Sequence, residues 1–254
     1  MNLFHVVLLS IIEGITEFLP VSSTGHLILA SHLLGIPPTA FTKSFDIAIQ
    51  LGAIAAIVTL YAKTLLTRKD LWLKLGVALT PTLGIGFFLY PFIRSYLLES
   101  TTITAAALIG GGVVLWALEH MFSKQNQAPA PSLPLKNAFG IGMFQSLAVV
   151  PGVSRAASTI MGGMLLGLSR KDAVEFSFLL AVPTMMAATG LDLVKQGALF
   201  SSSEIVMLLV GMGVAWITAM IAVRFFVRYV QHNTLIPFAI YRILLGLAFF
   251  FVGR

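Results

Sequence analysis

Glu13 and Glu17 stand four residues apart within an apolar run, so on a helix they share one face. Two carboxylates that close repel unless a proton or a cation lies between them. Mg²⁺ or Ca²⁺ would serve, since both prefer oxygen ligands, which makes Glu13 and Glu17 the candidate metal ligands. The plain alternative is a helix end whose carboxylates face water. A few residues on, Pro20-Val-Ser-Ser-Thr-Gly-His26 gathers three hydroxyls and an imidazole. Taken singly, such a hydroxyl is a helix cap and such a histidine a satisfied structural group. Taken together, a serine near a histidine and a carboxylate is an activated nucleophile. Ser23 is the candidate nucleophile, with Thr24 beside it and His26 to activate it or to protonate a leaving group.

A second constellation lies far along the chain, at Pro151-Gly-Val-Ser-Arg155. Gly152 lets backbone N–H groups approach an oxyanion, and a helix beginning there adds positive potential. Arg155 adds a permanently charged fork suited to phosphate. Ser154, and Gln145 before the break, are candidates for hydrogen bonds to the same anion. The structural alternative pairs Arg155 with Glu13 or Glu17, which a ligand could later reorganise. Asp46 and Gln50 share a face at the start of an apolar run, and Arg242 follows Tyr241 in another. For these the favoured reading is structural polar contact inside a helix bundle, with Asp46 and Gln50 also able to line a cavity.

These charged groups sit in a chain that has few. Of 254 residues, 57% are hydrophobic and 10% charged, and the mean hydropathy is +0.94. Soluble domains carry about 25% charged residues. So few charges could not cover this much apolar surface in water. The expected class is an all-α polytopic membrane protein. Without cysteine, disulfides, thiolate metal sites and cysteine nucleophiles are excluded. Residues 1–12 lack a basic head and a small-residue cleavage site, and read as mature structure.

An offset of 131 positions brings similar segments together: Pro20-Val-Ser-Ser on Pro151-Gly-Val-Ser, and Phe45 on Phe176. Each half opens with an apolar stretch interrupted by Pro, Gly, Ser and Thr, at 3–35 and 137–167. Three spans follow in each half, at 45–62, 75–93 and 102–118, then at 173–192, 204–223 and 235–252. The first repeat covers 1–122 and the second 135–254, joined by a polar linker at 123–134 within one integrated membrane domain. Proline and glycine at that density break a helix, and broken backbone survives in lipid only beside protein or a water-filled cavity. Each interrupted stretch is therefore expected to be a re-entrant hairpin. With three spans per half, the halves form an inverted-topology repeat, two re-entrant hairpins plus six transmembrane helices, whose loops meet near the midplane.

Loop charges orient this arrangement. Lys63, Arg68, Lys69, Lys74, Lys124, Lys136, Arg170, Lys171, Arg224 and Arg228 fall on one side; Lys43, Arg94, Lys195 and Arg254 fall on the other. The richer side is expected to be cytoplasmic, which puts both termini outside. It also accounts for the net charge of +6 without nucleic acid.

Glu13-Gly-Ile-Thr-Glu17-Phe-Leu-Pro-Val-Ser-Ser-Thr-Gly-His26, Pro151-Gly-Val-Ser-Arg155 and Phe45-Asp-Ile-Ala-Ile-Gln-Leu-Gly52 resemble, in order and spacing, the motifs of the undecaprenyl-diphosphate phosphatase family, the integral membrane type associated with bacitracin resistance. The resemblance runs over nearly the whole chain. The chain departs from the family where Ala156 and Ala157 replace a serine and a frequent glycine, and where Asp46 replaces glutamate. The resemblance implies a bacterial plasma-membrane hydrolase that recycles the undecaprenyl diphosphate carrier of cell-wall synthesis. It also implies a divalent cation (Mg²⁺ or Ca²⁺) and a site open to the outer face. Association with a second copy of the chain is left open.

On this reading the lipid tail stays in the bilayer. Arg155 and the Gly152–Ser154 backbone hold phosphate, and Ser23 or a water attacks the terminal phosphorus. A transporter or flippase of the lipid phosphate is the alternative built on the same features; a non-catalytic scaffold has no need of Glu13, Glu17, His26 and Arg155 together.

Overall fold

The computed structural model describes residues 1–92, 101–122, 133–196 and 200–252. Every regular element among them is helical. In chain order these are α1 (Leu3–Thr16), α2 (Ser23–Leu33), α3 (Ala40–Leu60), α4 (Ala62–Thr67), α5 (Lys69–Phe92), α6 (Thr101–Phe122), α7 (Leu135–Ser146), α8 (Arg155–Leu165), α9 (Arg170–Gln196), α10 (Ser202–His232) and α11 (Ile236–Val252). A 3₁₀ turn at Leu147–Val149 follows α7. Most of the expected linker at 123–134, with Lys124, lies outside the described residues, as do Arg94 and Arg254.

Four described helices are long and apolar enough to cross a bilayer: Ala40–Leu60, Lys69–Leu89, Thr101–Phe122 and Ser202–His232. The other two expected spans coincide with α9 and α11. α9 opens on Arg170, Lys171, Asp172 and Glu175, and the apolar stretch of α11, Ile236–Phe249, is shorter.

Both interrupted stretches are broken as expected. The helices flanking the breaks have 14 and 11 residues in the first and 12 and 11 in the second. A helix needs about 20 residues to cross the hydrocarbon core, so none of these four spans it alone. In α1 the hydroxyls bond back along the helix, Ser10 Oγ to the Val6 carbonyl and Thr16 Oγ1 to that of Ile12, both at 2.7 Å.

The two broken segments match in backbone detail. Ser22 and Ser154 are the described non-glycine residues with positive φ, at 71° and 73°. Each caps the next helix, its side chain accepting from the N–H three residues on, Gly25 or Ala157. Gly35 and Gly167, both at positive φ, end those helices. The spacing within each matched pair is 132, so the ungapped offset of 131 needs correction here. Ser22, not Ser23, is the backbone counterpart of Ser154, and Ser23 is that of Arg155.

Packing crosses between the halves. α1 lies on α10 and α7 on α5, while α6 lies on α11 and α3 on α9. Small residues allow the crossed contacts. A Cβ on Gly14 would stand 2.6 Å from the Ala215 carbonyl oxygen, and one on Gly142 would stand 1.9 Å from that of Ala78. A buried ion pair adds a further tie, with Arg170 forking onto Glu119 at 2.9 and 2.8 Å. Arg170 is 7% exposed and Glu119 fully buried. Arg170 is therefore a packed pairing group, not the exposed loop charge the sequence suggested.

Candidate active site

α1 ends at Glu17, and α2 and α8 begin at Ser23 and Arg155. These three chain ends converge. Ser23 Oγ donates to Glu17 Oε2 at 2.5 Å, and Arg155 Nη2 donates to Glu17 Oε1 at 2.9 Å. One carboxylate thus joins a hydroxyl and a guanidinium that are 132 positions apart, each the first residue of the helix after its break.

Arg155 is fixed on its other sides. Nη1 donates to the Ser177 carbonyl at 3.0 Å, and the guanidinium lies 5.6 Å from the centroid of the buried Phe18 ring. Phe18 packs edge-to-face on Phe178 at 5.3 Å between centroids. Arg155 Nε is buried with no partner among the described residues. The pairing of Arg155 with Glu17, foreseen as the structural alternative, is what the structure contains, and it stands inside a cavity.

That cavity, of about 140 Å³, is lined by Glu17, Ser22, Ser23, Thr24, Gln50, Gly152, Ser154 and Arg155, with Met185 and the Ala148–Pro151 turn beside them. At roughly 30 Å³ for each water of the liquid, it takes a phosphate-sized polar group and no long hydrocarbon chain. Its rim combines two helix N-termini with an arginine, an arrangement suited to an anion. Gly152 adopts φ 91°, and a Cβ there would stand 2.4 Å from the Thr104 carbonyl oxygen. The turn needs glycine on both counts.

Most expected site residues meet here, and three do not: His26, Gln145 and Glu13. His26 lies on α2 outside the lining. Its Nδ1 is 2.7 Å from the Ser22 carbonyl and its Nε2 2.7 Å from the Tyr241 hydroxyl. A carbonyl only accepts, so Nδ1 carries the proton and Nε2 of the neutral ring accepts from Tyr241. Both nitrogens are occupied, and the group on Ser23 is Glu17. Gln145 is also absent from the cavity. It donates to Thr82 Oγ1 at 2.9 Å and to Thr184 Oγ1 at 3.2 Å. The reason is its position on the last turn of α7, before the 3₁₀ turn, where its face meets α5 and α9. Gln50, read from sequence mainly as a structural contact, does line the cavity. Met185 was missed altogether, because a methionine in an apolar helix carries no sequence signal.

Glu13 is fully buried on α1, and among the described residues no donor group reaches either of its carboxylate oxygens. It lies within electrostatic reach of Glu17, Asp46 and Arg155. Such an orphaned buried acid fits a proton or a cation. Among the described residues no three of His, Cys, Asp and Glu converge closely enough to hold a metal by themselves.

Apolar helices around a hydroxyl–carboxylate–guanidinium set define a class: helical membrane proteins with a polar cavity between two broken helices. The comparisons make the class specific. Residues 6–248 match the model of the bacitracin resistance protein BacA family, and the chain belongs to that family. An undecaprenyl-diphosphatase of Wolinella succinogenes is 50% identical over 253 residues, covering 99% of this chain and 98% of that protein. One of Aquifex aeolicus is 48% identical over 250 residues, 98% of each chain. One of Thermus thermophilus is 44% identical over 254 residues, 98% of this chain and 97% of its own. The chain is a multi-pass membrane protein.

Proposed function

We propose that this chain is an undecaprenyl-diphosphate phosphatase, hydrolysing the lipid diphosphate to undecaprenyl phosphate and inorganic phosphate and so returning the carrier to cell-wall synthesis. The observation that carries the reading is the Glu17 carboxylate shared by the Ser23 hydroxyl and the Arg155 guanidinium, inside a cavity sized for a phosphate group. The names of its relatives point to the same reaction.

In this mechanism the diphosphate head enters the cavity and the polyprenyl chain remains among lipids. Arg155 and the N–H groups at the start of α8 take the phosphate oxygens, with Ser154 and Thr24 at the rim. Ser23 Oγ attacks the terminal phosphorus while Glu17 Oε2 accepts its proton. An O–P bond to Ser23 forms as the bond from the terminal phosphorus to the bridging oxygen breaks, and undecaprenyl phosphate leaves. Water then cleaves the phosphoserine, and phosphate departs. The base is Glu17 in place of His26, because Glu17 is on the hydroxyl and His26 is engaged elsewhere. Direct attack by water, with Glu17 as base, is the variant. A divalent cation would be held by Glu13 and Glu17, with phosphate and water oxygens completing its shell. When bound, it neutralises charge developing on the transferring phosphoryl group.

The paired serine caps, the crossed packing of α1 on α10 and α7 on α5, and the short flanking helices favour an inverted repeat with two re-entrant hairpins and six spans. Family membership favours a bacterial plasma-membrane location, and the charge distribution favours a cavity open to the outer face with both termini outside. The Glu119–Arg170 pair supports this by joining residues near two of the loops assigned to the cytoplasmic side.

Phosphate release by the purified full chain from a C55 diphosphate, with and without chelator, tests the proposal. Activity should vanish with chelator and return with Mg²⁺ or Ca²⁺, and Glu17→Ala should lose at least about 10³-fold in kcat. Near wild-type release by folded Glu17→Ala would end it. A transporter of the lipid phosphate, the reading not favoured, would release no phosphate at all.

A further inference from the structure

Arg242 on α11 is fully buried, and its contacts are unlike those of Arg155 and Arg170. Arg155 and Arg170 each pair with a carboxylate. Among the described residues Arg242 donates only to backbone carbonyls: Nε to Leu108 at 3.5 Å, Nη1 to Pro20 at 3.2 Å, and Nη2 to Ala107, Gly152 and Val153 at 3.3, 3.0 and 2.9 Å. Burying a cation without a counter-charge is costly. The groups it collects in return belong to α6 and to both broken loops.

A trans peptide points its C=O and its N–H in opposite directions. With the Pro20, Gly152 and Val153 carbonyls turned onto α11, the N–H groups of the same peptides, on Val21, Val153 and Ser154, face the other way. Val21 and Val153 spend theirs on the carbonyls of Leu19 and Val150. That of Ser154 has no acceptor among the described residues. It is followed by the N–H groups of Arg155 and Ala156, the open donors of the first turn of α8. Gly152, Ser154 and Arg155 line the cavity. Next to Arg242, Tyr241 braces the other loop through His26, whose ring N–H holds the Ser22 carbonyl.

We infer that Arg242 is a positioning residue for phosphoryl transfer: gripping loop carbonyls from behind, it aims the N–H groups of Ser154 and the first turn of α8 at the phosphate. This rests on the cavity being the active site. Donors fixed in advance act mainly on the transition state, so their loss shows in kcat more than in KM.

Gly111 supplies a test that keeps the charge. A Cβ at Gly111 would stand 2.2 Å from Arg242 Nη2, with all three nearest atoms belonging to Arg242. Gly111→Ala therefore displaces the guanidinium while alanine suits the helix. With C55 diphosphate as substrate and the full chain in detergent, Arg242→Met is expected to lose about 10²-fold in kcat with KM changed less than about threefold. Arg242→Lys should recover part of that loss, and Gly111→Ala alone should lose about tenfold. In the Arg242→Met background Gly111→Ala should add nothing. The inference fails if Gly111→Ala stays within twofold of wild type, if its effect is equal in both backgrounds, or if folded Arg242→Met keeps wild-type kcat. Should Arg242→Met not fold, Gly111→Ala decides alone. Arg155→Ala in the same assay separates the two levels: full activity there sinks the site itself, whereas its loss beside an intact Gly111→Ala sinks only the role of Arg242.

Discussion

The two broken loops have nearly the same backbone and divide the chemistry between them. Each turns at a serine with positive φ, caps an 11-residue helix with that serine, and ends the helix at a glycine with positive φ. The side chains on this shared frame differ at each position that matters. Ser23 stands where Arg155 stands, Thr24 where Ala156 stands, and Glu13 where Gln145 stands. One loop brings the Ser23 hydroxyl with acids behind it; the other brings the Arg155 cation and the first N–H groups of α8. The comparison teaches that the frame presents the first residue of each helix to a common point, the Glu17 carboxylate, and that the residue type placed there sets what each loop offers: a hydroxyl or a cation.

The largest effect should come from exchanging or removing those first residues. Arg155→Ala and Ser23→Ala should each lower kcat/KM by about 10³-fold or more. Because both act on one phosphate through Glu17, the double variant should lose far less than the product of the two. Arg155→Lys should recover little, since an ammonium cannot hold Glu17, the Ser177 carbonyl and a phosphate together. Phosphate-release kinetics on the four proteins checks this; full multiplicativity would show that the two loops work independently.

The next pair is Glu13 and Gln145, counterparts one turn before each break. Glu13 is buried with no donor to either oxygen among the described residues, while Gln145 is satisfied by Thr82 and Thr184. Glu13→Gln should raise the divalent-cation concentration needed for half-maximal activity by about 10–100-fold. Gln145→Leu should leave kcat of the folded protein near wild type. It should lower stability by about 1–3 kcal/mol through the stranded threonine hydroxyls, read as a fall in thermal midpoint. A cation requirement that moves with Gln145 and not with Glu13 would reverse the assignment.

Much of this contrast was legible in the sequence. Proline and glycine density located both breaks, and the acid, hydroxyl and arginine motifs around them named Glu17, Ser23, Thr24, Gly152, Ser154 and Arg155, all of which line the cavity. What sequence could not supply was direction. Side chains on a short helix next to a break point outward or inward according to one residue of register, and the ungapped offset was wrong by one there. His26 therefore read as a partner of Ser23 although its ring turns to Tyr241, and Gln145 read as a phosphate ligand although its face meets α5 and α9. Arg242 read as one more bundle contact, because backbone carbonyls, its sole partners among the described residues, leave no trace in residue types.

His26 allows a smaller test of the same contrast. Its counterpart Ser158 is buried with no hydroxyl partner among the described residues, while His26 ties α2 to α11. If His26 only braces the loop, His26→Ala and Tyr241→Phe should each lower kcat by about tenfold or less, and the double variant should resemble His26→Ala alone. A fall of about 10³-fold in His26→Ala with Tyr241→Phe unaffected would return the histidine to the proton-transfer chemistry.

The smallest effect concerns the frame itself. A non-glycine residue at positive φ costs on the order of 1–3 kcal/mol, and Ser22 and Ser154 both bear that cost. Both also serve as caps, worth about 1 kcal/mol when replaced by alanine and only a few tenths when replaced by glycine. Glycine at either position loses the cap and relieves the strain; alanine loses the cap and keeps the strain. Ser22→Gly and Ser154→Gly should therefore match or exceed wild-type thermal stability, whereas Ser22→Ala and Ser154→Ala should fall below it. The gap between glycine and alanine variants should be similar at the two sites, since the backbone angles are. A gap at one loop only would mean that the second serine is held by its surroundings and that the frame is shared in shape but not in energy.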